Sequence, residues 1–482
     1  MSFKQSTARS QISASQNLNQ VLGSRWDLIV IGGGNAAMVA AMSARPLVGR
    51  VLLLERSPIE FRGGNTRHAR NIRCVHETAG AYNTGSYLYD EMWSDLCNVG
   101  EGPGNEKIAA LTIAESESVP EWMSDHGVRW QPLIKGARQL GHTNRLLLGG
   151  GKALINAYHS TLGKMGITVL YNVVVEDLVI EGDECTGVMV TVAGSGYMIE
   201  AGAVVCASGG FEANLDWLRK YWGDAVDNYS IRGTEYNDGL ILKALYDHGA
   251  ASAGQEKGFH AVPVDARSPQ FDGGIATRLD TIPFGIVVNR LGQRFYDEGE
   301  VLPKRYALWG RTIAEQPGQM AYSLWDTKVN SLFLSPMFGP AKANSISELS
   351  RDLGLDERVL CDTVARYNAS LTGVAIFDPT RQDGLGTTGL NPPKSNWAQR
   401  IDRPPFYGVA MRPGITFTYR GVAVTEEARV VRTDGSVFSN VFAAGGIMSG
   451  NILSSGYLAG FGLTIGTVWG RIAGKGAANV RA

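Results

Sequence analysis

Three small residues near the start of the chain have the spacing needed to hold a diphosphate. Gly32-x-Gly34-x-x-Ala37 follows the β-branched run Trp26–Ile31 and opens a small-residue stretch that runs to Ala44. Gly32 permits a tight turn, Gly34 lets main chain approach a pyrophosphate, and Ala37 lets a helix pack closely on a strand. Free N–H groups at the start of that helix, together with its dipole, favour the phosphates. A second apolar run, Val51–Leu54, ends in Glu55, an acid placed to accept hydrogen bonds from a ribose. The unit reads strand–turn–helix–strand and predicts dinucleotide binding.

Later segments favour FAD over a nicotinamide. Arg62-Gly63-Gly64-Asn65-Thr66-Arg67 follows the second strand and suits a second face of a diphosphate and a flavin ring. Ala203-Val204-Val205-Cys206-Ala207-Ser208-Gly209-Gly210 reads as a buried strand with a small-residue end. Val441-Phe442-Ala443-Ala444-Gly445-Gly446 repeats that design near the C-terminus, so the chain returns to the cofactor. Glycine serves such ends because main chain must come close there.

The remaining composition narrows the function classes. The 482 residues exceed one ordinary core, so at least two domains are expected. A net charge of −1 with no Lys/Arg-rich run argues against nucleic acid. The five cysteines, Cys74, Cys97, Cys185, Cys206 and Cys361, include no C-x-x-C pair. Neither a metal site nor an Fe–S cluster is expected, and reduced thiols fit a cytoplasmic protein. Residues 1–24 read as a polar tail without an apolar h-region, and no integral membrane segment is expected.

Several runs carry a resemblance. They are Gly63-Gly64-Asn65-Thr66-Arg67-His68-Ala69-Arg70-Asn71, Gly149–Leu154, Gly209-Gly210-Phe211-Glu212-Ala213-Asn214, Ile231-Arg232-Gly233-Thr234, Arg294–Gly299 with Pro303–Tyr306, and Gly445–Asn451. From about residue 25 to 475 the chain resembles the fumarate reductase/succinate dehydrogenase flavoprotein superfamily, most closely its FAD-dependent tricarballylate dehydrogenase group. The resemblance implies an α/β fold with a Rossmann-like FAD-binding domain, split in sequence, and an inserted α+β capping domain. Its expected parts are 25–235 and 409–482 for FAD and 236–408 for the cap, with the substrate between cap and flavin. Members of membrane complexes tether FAD through a His; Asn65 stands at that position here and His68 is out of register, so non-covalent FAD is expected. The cofactor site expected from these readings comprises Gly32, Gly34, Asn35, Ala36 and Ala37, then Glu55 and Arg56. Gly63, Gly64, Asn65, Thr66 and Val174 follow, then Ala207, Ser208 and Gly209, and finally Gly446, Gly462 and Leu463. A last helix from about Leu463 would point its N-terminus at the flavin N1–C2=O edge.

The resemblance also implies substrate residues, and here the pattern departs from the fumarate enzymes. His260 and Thr277 match their carboxylate-binding His and Thr. Arg278 replaces a Glu, and Arg305 matches the proton-handling Arg if a short insertion is allowed. The run Pro413–Gly421, with Thr418, Tyr419 and Arg420, sits where those enzymes carry His-His-Thr, and Tyr457 stands where they place a clamping Arg. Arginine pairs carboxylates bidentately, so the changed set implies a clamp of altered shape that suits a tricarboxylate. Lowering an Arg from about pKa 12.5 to 7 costs roughly 7 kcal/mol, against about 4 for a Tyr starting near 10. Tyr419 and Tyr457 therefore stand beside Arg305 as candidate bases. The expected reaction is dehydrogenation of tricarballylate to cis-aconitate with hydride passing to flavin N5, and a separate electron-transfer protein reoxidising the flavin. Fumarate reductase-like or ketosteroid dehydrogenase-like chemistry on the same fold is the alternative, and a flavin-binding protein without turnover is a third reading.

Overall fold

Continuous apolar runs become parallel strands when helices cover both faces of a sheet. Trp26–Ile31 is such a run, and Leu28, Ile29 and Val30 are fully buried. It lies between Val51–Leu54 and the end of Ser195–Cys206, parallel to both, with Ile29 opposite Leu52 and Val204. Thr168–Leu170 extends the sheet beside Val51–Leu54, and Val437–Ala443 extends it beside Ser195–Cys206. The long strand Ser195–Cys206 also carries an antiparallel meander with Glu184–Val192 and Val173–Glu181. The strand–turn–helix–strand expectation is met: the helix runs Asn35–Ala44, and the last helix begins at Phe461, two residues before the expected start.

The computed structural model describes residues 20–100, 102–133, 141–300, 302–333, 335–373 and 376–480. The chain divides into two units. Unit 1, which carries the parallel sheet, comprises Met1–Asn214, Thr234–Gly258 and Phe417–Ala482. Unit 2 comprises Leu215–Gly233 and Phe259–Thr416. These boundaries differ from those expected in sequence for a physical reason. Ser252–Ala253 pairs antiparallel with Gly421–Val422, and the Tyr246 hydroxyl donates to Gly421 O, which holds 236–258 in unit 1. Ser230–Ile231 pairs with Gly414–Ile415, which holds that segment in unit 2.

In unit 1 the helices Asn35–Ala44 and Phe461–Asn479 meet almost backbone to backbone. Gly466, Gly470 and Gly474 repeat every four residues and so share one helix face. A Cβ on Gly466 would stand 2.8 Å from Asn35 Nδ2, and one on Gly470 would stand 2.7 Å from Ala36 O. One on Gly474 would overlap Ala40 O and stand 2.9 Å from Ala40 C. The alanines of the first helix are the other half of that fit. This contact presses the dinucleotide loop, at the start of one helix, against the end of the chain.

Unit 2 is built on a mostly antiparallel sheet centred on Phe406–Thr418, which pairs with Ala321–Asp326 and Ala341–Ala343; Ile286–Asn289 adds beside Ala321–Asp326. Alternation sorts its side chains. Ile286 and Val288 pack with Leu324, Leu349, Leu360 and Tyr367 on one face, while Val287 packs with Trp309, Trp325 and Met411 on the other. The fold class is the expected mixed α/β. Among the described residues no helix is long and apolar enough to cross a membrane.

Candidate active site

The predicted loop adopts the geometry its residues allow. Gly32 has φ +114°, and a Cβ there would stand 2.9 Å from Ala207 C, so loop and strand end are in direct main-chain contact. Ala207 N–H donates to Ile31 O. Gly34 caps the helix and has no side chain to cover its first turn. Thr66 lies on this turn: its Oγ1 accepts the Asn35 N–H at 3.0 Å. Gly63, at φ +103°, starts the short helix Gly64–His68 that contains Asn65. Gly209 and Gly446 approach each other as well, since a Cβ on Gly446 would stand 3.4 Å from Gly209 Cα. The glycine-rich ends expected around the cofactor thus meet in unit 1.

Glu55 is buried, and burial raises its carboxyl above the ordinary range, with the Ser57 hydrogen bonds opposing. Its Oε1 accepts the Ser57 N–H at 2.7 Å, which fixes the side chain. A Cβ on Gly33 would overlap Glu55 Oε2. Val174 lies beside this acid, because the Val173 N–H donates to Glu55 O. Arg56 is half-exposed and pairs with Asp238 at 2.5 Å. Gly33→Ala is expected to displace Glu55 and cut flavin content at purification about tenfold, read from the ratio of visible to protein absorbance. Full occupancy would remove Glu55 from the cofactor site.

The Asn35 side chain donates to Leu463 O at 3.2 Å and to Thr467 Oγ1 at 2.9 Å, so it ties the first helix to the last. Leu463 meets the first helix through that carbonyl. Gly462 offers its N–H to the Tyr457 hydroxyl at 3.0 Å.

The substrate residues separate between the two units. In unit 2, the strand Phe259–Asp265 carries His260, which is buried. Arg232, also buried, donates from Nε to Gly274 O at 3.0 Å and from Nη1 to Thr416 Oγ1 at 3.1 Å. Gly274 N–H returns a bond to Arg232 O, and Thr277 Oγ1 donates to Gly273 O. The 273–278 turn therefore wraps Arg232 and brings Thr277 and Arg278 to it. Burial holds His260 well below its ordinary pKa, and the Arg232 and Arg278 charges press it further down. A neutral imidazole between two guanidiniums is an electropositive, water-poor setting for an anion.

Several expectations are revised by the contacts. Arg278 is engaged by Asp280, with one guanidinium nitrogen 2.5 and 2.6 Å from the two carboxylate oxygens. Arg420 pairs with Glu256 and lies over the Tyr246 ring, both in unit 1. Thr418 Oγ1 accepts the Phe211 N–H, which ties it to the Gly210 turn. Tyr419 is fully buried and gives its proton to Gly456 O at 2.9 Å, so it is unsuited to act as a base. Tyr457 differs: its hydroxyl accepts at a helix start, which directs its own proton elsewhere. Arg305 falls on the helix Leu302–Ala314, and its side chain lies outside the described residues. Glu298, from the same motif, is buried and pairs with Arg294 at 2.6 Å while accepting the Val287 N–H.

Sequence reasoning passed over two residues. Arg232 stood inside the Ile-Arg-Gly-Thr run without a role, and Glu212 inside Gly-Gly-Phe-Glu. A charged residue set in a run of small and apolar ones, at a strand end, was the available signal. Among the described residues no cluster of metal-ligating side chains occurs.

The donor set fits FAD: a glycine-cradled helix start for the diphosphate, a buried acid after the second strand, and glycine-faced strand ends for the ring. The family model described as "FAD binding domain" matches residues 27–463. The NADH:fumarate oxidoreductase of Klebsiella pneumoniae is 25% identical over 480 residues, covering 96% of this chain and 49% of that protein. The chain thus spans about half the length of that relative. The open conformation of a flavocytochrome c3 fumarate reductase matches with TM-score 0.75 and 22% identity, over 98% of this chain and 81% of that one. A 3-ketosteroid-Δ4-(5α)-dehydrogenase from Rhodococcus jostii matches with TM-score 0.72 and 21% identity, over 96% and 98%. These two likenesses establish the fold. The chain belongs to the FAD-binding-domain family, and its cofactor is FAD.

Proposed function

We propose that this flavoprotein oxidoreductase removes two hydrogens from adjacent carbons of a polycarboxylate, converting tricarballylate to cis-aconitate. The observation that carries the reading is the buried pair Arg232 and His260, with Arg278 beside it, in unit 2. A buried guanidinium gains from an anionic partner, because desolvation makes its charge costly there. Nε and Nη1 of Arg232 are engaged by protein oxygens, which fixes the plane of the guanidinium for a bidentate partner. Neutral His260 adds one N–H donor without adding charge. Thr277 supports the turn that carries Arg278.

FAD, when bound, supplies the two-electron hydride acceptor. The chain must then take a proton from the neighbouring carbon. Tyr457 is the proposed base among the described residues, because the N–H at the start of the last helix stabilises its phenolate form. Arg305 remains the alternative that the family resemblance supplies. Reoxidation is assigned to a separate electron-transfer protein, since the five cysteines are single free thiols that build no cluster of their own. The cytoplasm is the compartment those thiols suit.

A second reading rests on the aromatic group of Phe417, Tyr419 and Tyr457, whose rings meet at 5.5 Å between centroids. Such a surface suits a flat apolar substrate and ketosteroid-type chemistry. Anaerobic mixing separates the two readings. Tricarballylate is expected to bleach the flavin band while succinate and a 3-ketosteroid leave it unchanged. Bleaching by the steroid alone would replace the first reading with the second, and bleaching by none would end both.

A further inference from the structure

Glu212 is fully buried at the end of the Gly209-Gly210-Phe211 turn. Its Oε1 accepts from Asn65 Nδ2 at 2.6 Å and from Asn237 Nδ2 at 2.8 Å. Asn65 passes the chain on, since its Oδ1 accepts the Thr234 N–H at 2.9 Å. One carboxyl thus joins three segments: the glycine-bearing 63–66 and 209–212, and 234–237. Its orientation of the Asn65 amide is unambiguous, because a carboxylate accepts and a main-chain N–H donates.

The other oxygen, Oε2, meets neither of these amides, and the polar groups that face the carboxyl on its side are main-chain N–H groups. Oε2 lies at the glycine turn: a Cβ on Gly210 would stand 2.7 Å from it and would overlap Thr418 Oγ1. Gly209, next in the turn, faces Gly446 from the opposite strand end. The groups around the carboxyl are two amides, the Thr418 main chain and its own backbone N–H. Among the described residues no cation pairs with it. Glu235, on the third segment, is exposed, and Asp238, just past it, is taken by Arg56. A carboxylate with no counter-ion, beside the turns that cradle a redox ring, is expensive to build and is a mark of a functional group.

We propose that Glu212 is a positioning residue of the flavin site: it fixes the Asn65 and Asn237 amides and, as an uncompensated buried carboxylate, depresses the reduction potential of the bound flavin. The physical reason is Coulombic. Reduction adds negative charge to the ring, and a fixed anion in a low-dielectric setting opposes it. Burial pushes the carboxyl up to about 7, with the amide hydrogen bonds opposing, so its charge changes near neutral pH. The opposition to reduction is therefore present at pH 8 and largely absent at pH 6. The inference rests on FAD binding alone, so failure of tricarballylate as a substrate leaves it standing.

The test is spectroelectrochemical titration of the purified holoprotein and of Glu212→Gln at pH 6 and pH 8. Glutamine keeps an acceptor for both amides and removes the charge. At pH 8 and a fixed applied potential, E212Q is expected to show a reduced-to-oxidised flavin ratio at least tenfold above wild type. At pH 6 the two should agree within twofold. A gap of equal size at both pH values, or none at either, overturns the charge role. Positioning is tested by Glu212→Ala, which should raise the FAD dissociation constant at least tenfold, with E212Q restoring it to within threefold. FAD retention by E212A equal to wild type overturns that half. If E212A does not fold, failure of E212Q to hold FAD as wild type does overturns it instead.

Discussion

Arg232→Lys is expected to lower kcat/KM for the polycarboxylate about 100-fold while FAD content stays at the wild-type level. Lysine keeps the charge but loses the planar fork, and two of the fork's nitrogens are the ones that hold Gly274 O and Thr416 Oγ1. Arg232→Ala should cost more. Removing one partner from a buried, hydrogen-bonded charge pair costs roughly 2–5 kcal/mol, which is about 30- to 4,000-fold in rate. The loss should fall mainly on KM if Arg232 only holds a carboxylate, and on kcat as well if that carboxylate must be fixed for hydride transfer. Steady-state kinetics under an artificial electron acceptor measure both, and a urea midpoint controls for the lost turn contacts. Turnover of R232K within twofold of wild type would remove Arg232 from the substrate site. It would also remove the main support for an anionic substrate.

The second large effect concerns stability, and it sets the same substitution at two helical glycines against each other. Gly163→Ala lies in the helix Gly150–Lys164, with nothing within 4 Å of the new Cβ. Alanine should stabilise there by up to about 1 kcal/mol, because it loses less backbone entropy on forming helix. Gly474→Ala gains the same propensity but places its Cβ in overlap with Ala40 O. The obstacle is main chain of a buried helix, which cannot rotate away. Over-packing of this kind costs typically 1–3 kcal/mol, and a net loss of about 2 kcal/mol or more is expected. Urea unfolding of the holoprotein, with unchanged slope, reads both signs. FAD occupancy should fall with G474A and not with G163A, since the first helix carries the dinucleotide loop. Equal midpoints for the two variants would mean that the helices have room to part.

The two substitutions show how unevenly function is written in the chain. A glycine's tolerance depends on what faces it, and the sequence names the glycine without naming the neighbour. The Gly32/Gly34/Ala37 spacing was legible because its chemistry is local: a strand, a turn and a helix start lie within a few residues of one another. Glu55 was legible for the same reason, as the end of the next strand. Arg278 and Arg420 were not, since their new partners are set by packing; Asp280 is two residues along and Glu256 arrives from a distant segment. Tyr419 and Tyr457 were equivalent in sequence and diverge in structure. One gives its proton to a carbonyl, and the other accepts from a helix start.

The sequence by itself determined the cofactor class, the mixed α/β fold, and a cofactor domain that returns at the C-terminus. The dinucleotide loop and the returning glycine-rich strand end follow from local spacing, and the fold class came from the resemblance those runs carry. Tertiary structure alone decided which ionisable groups are committed to internal partners. It set Arg420 against Glu256, Tyr419 against Gly456 O and Thr418 against the Phe211 N–H, and brought Arg232 near His260. It also buried Glu212 against two amides and, among the described residues, with no cation to balance it. Those outcomes turn on burial and long-range partners, because the worth of a charge is set by what surrounds it in three dimensions.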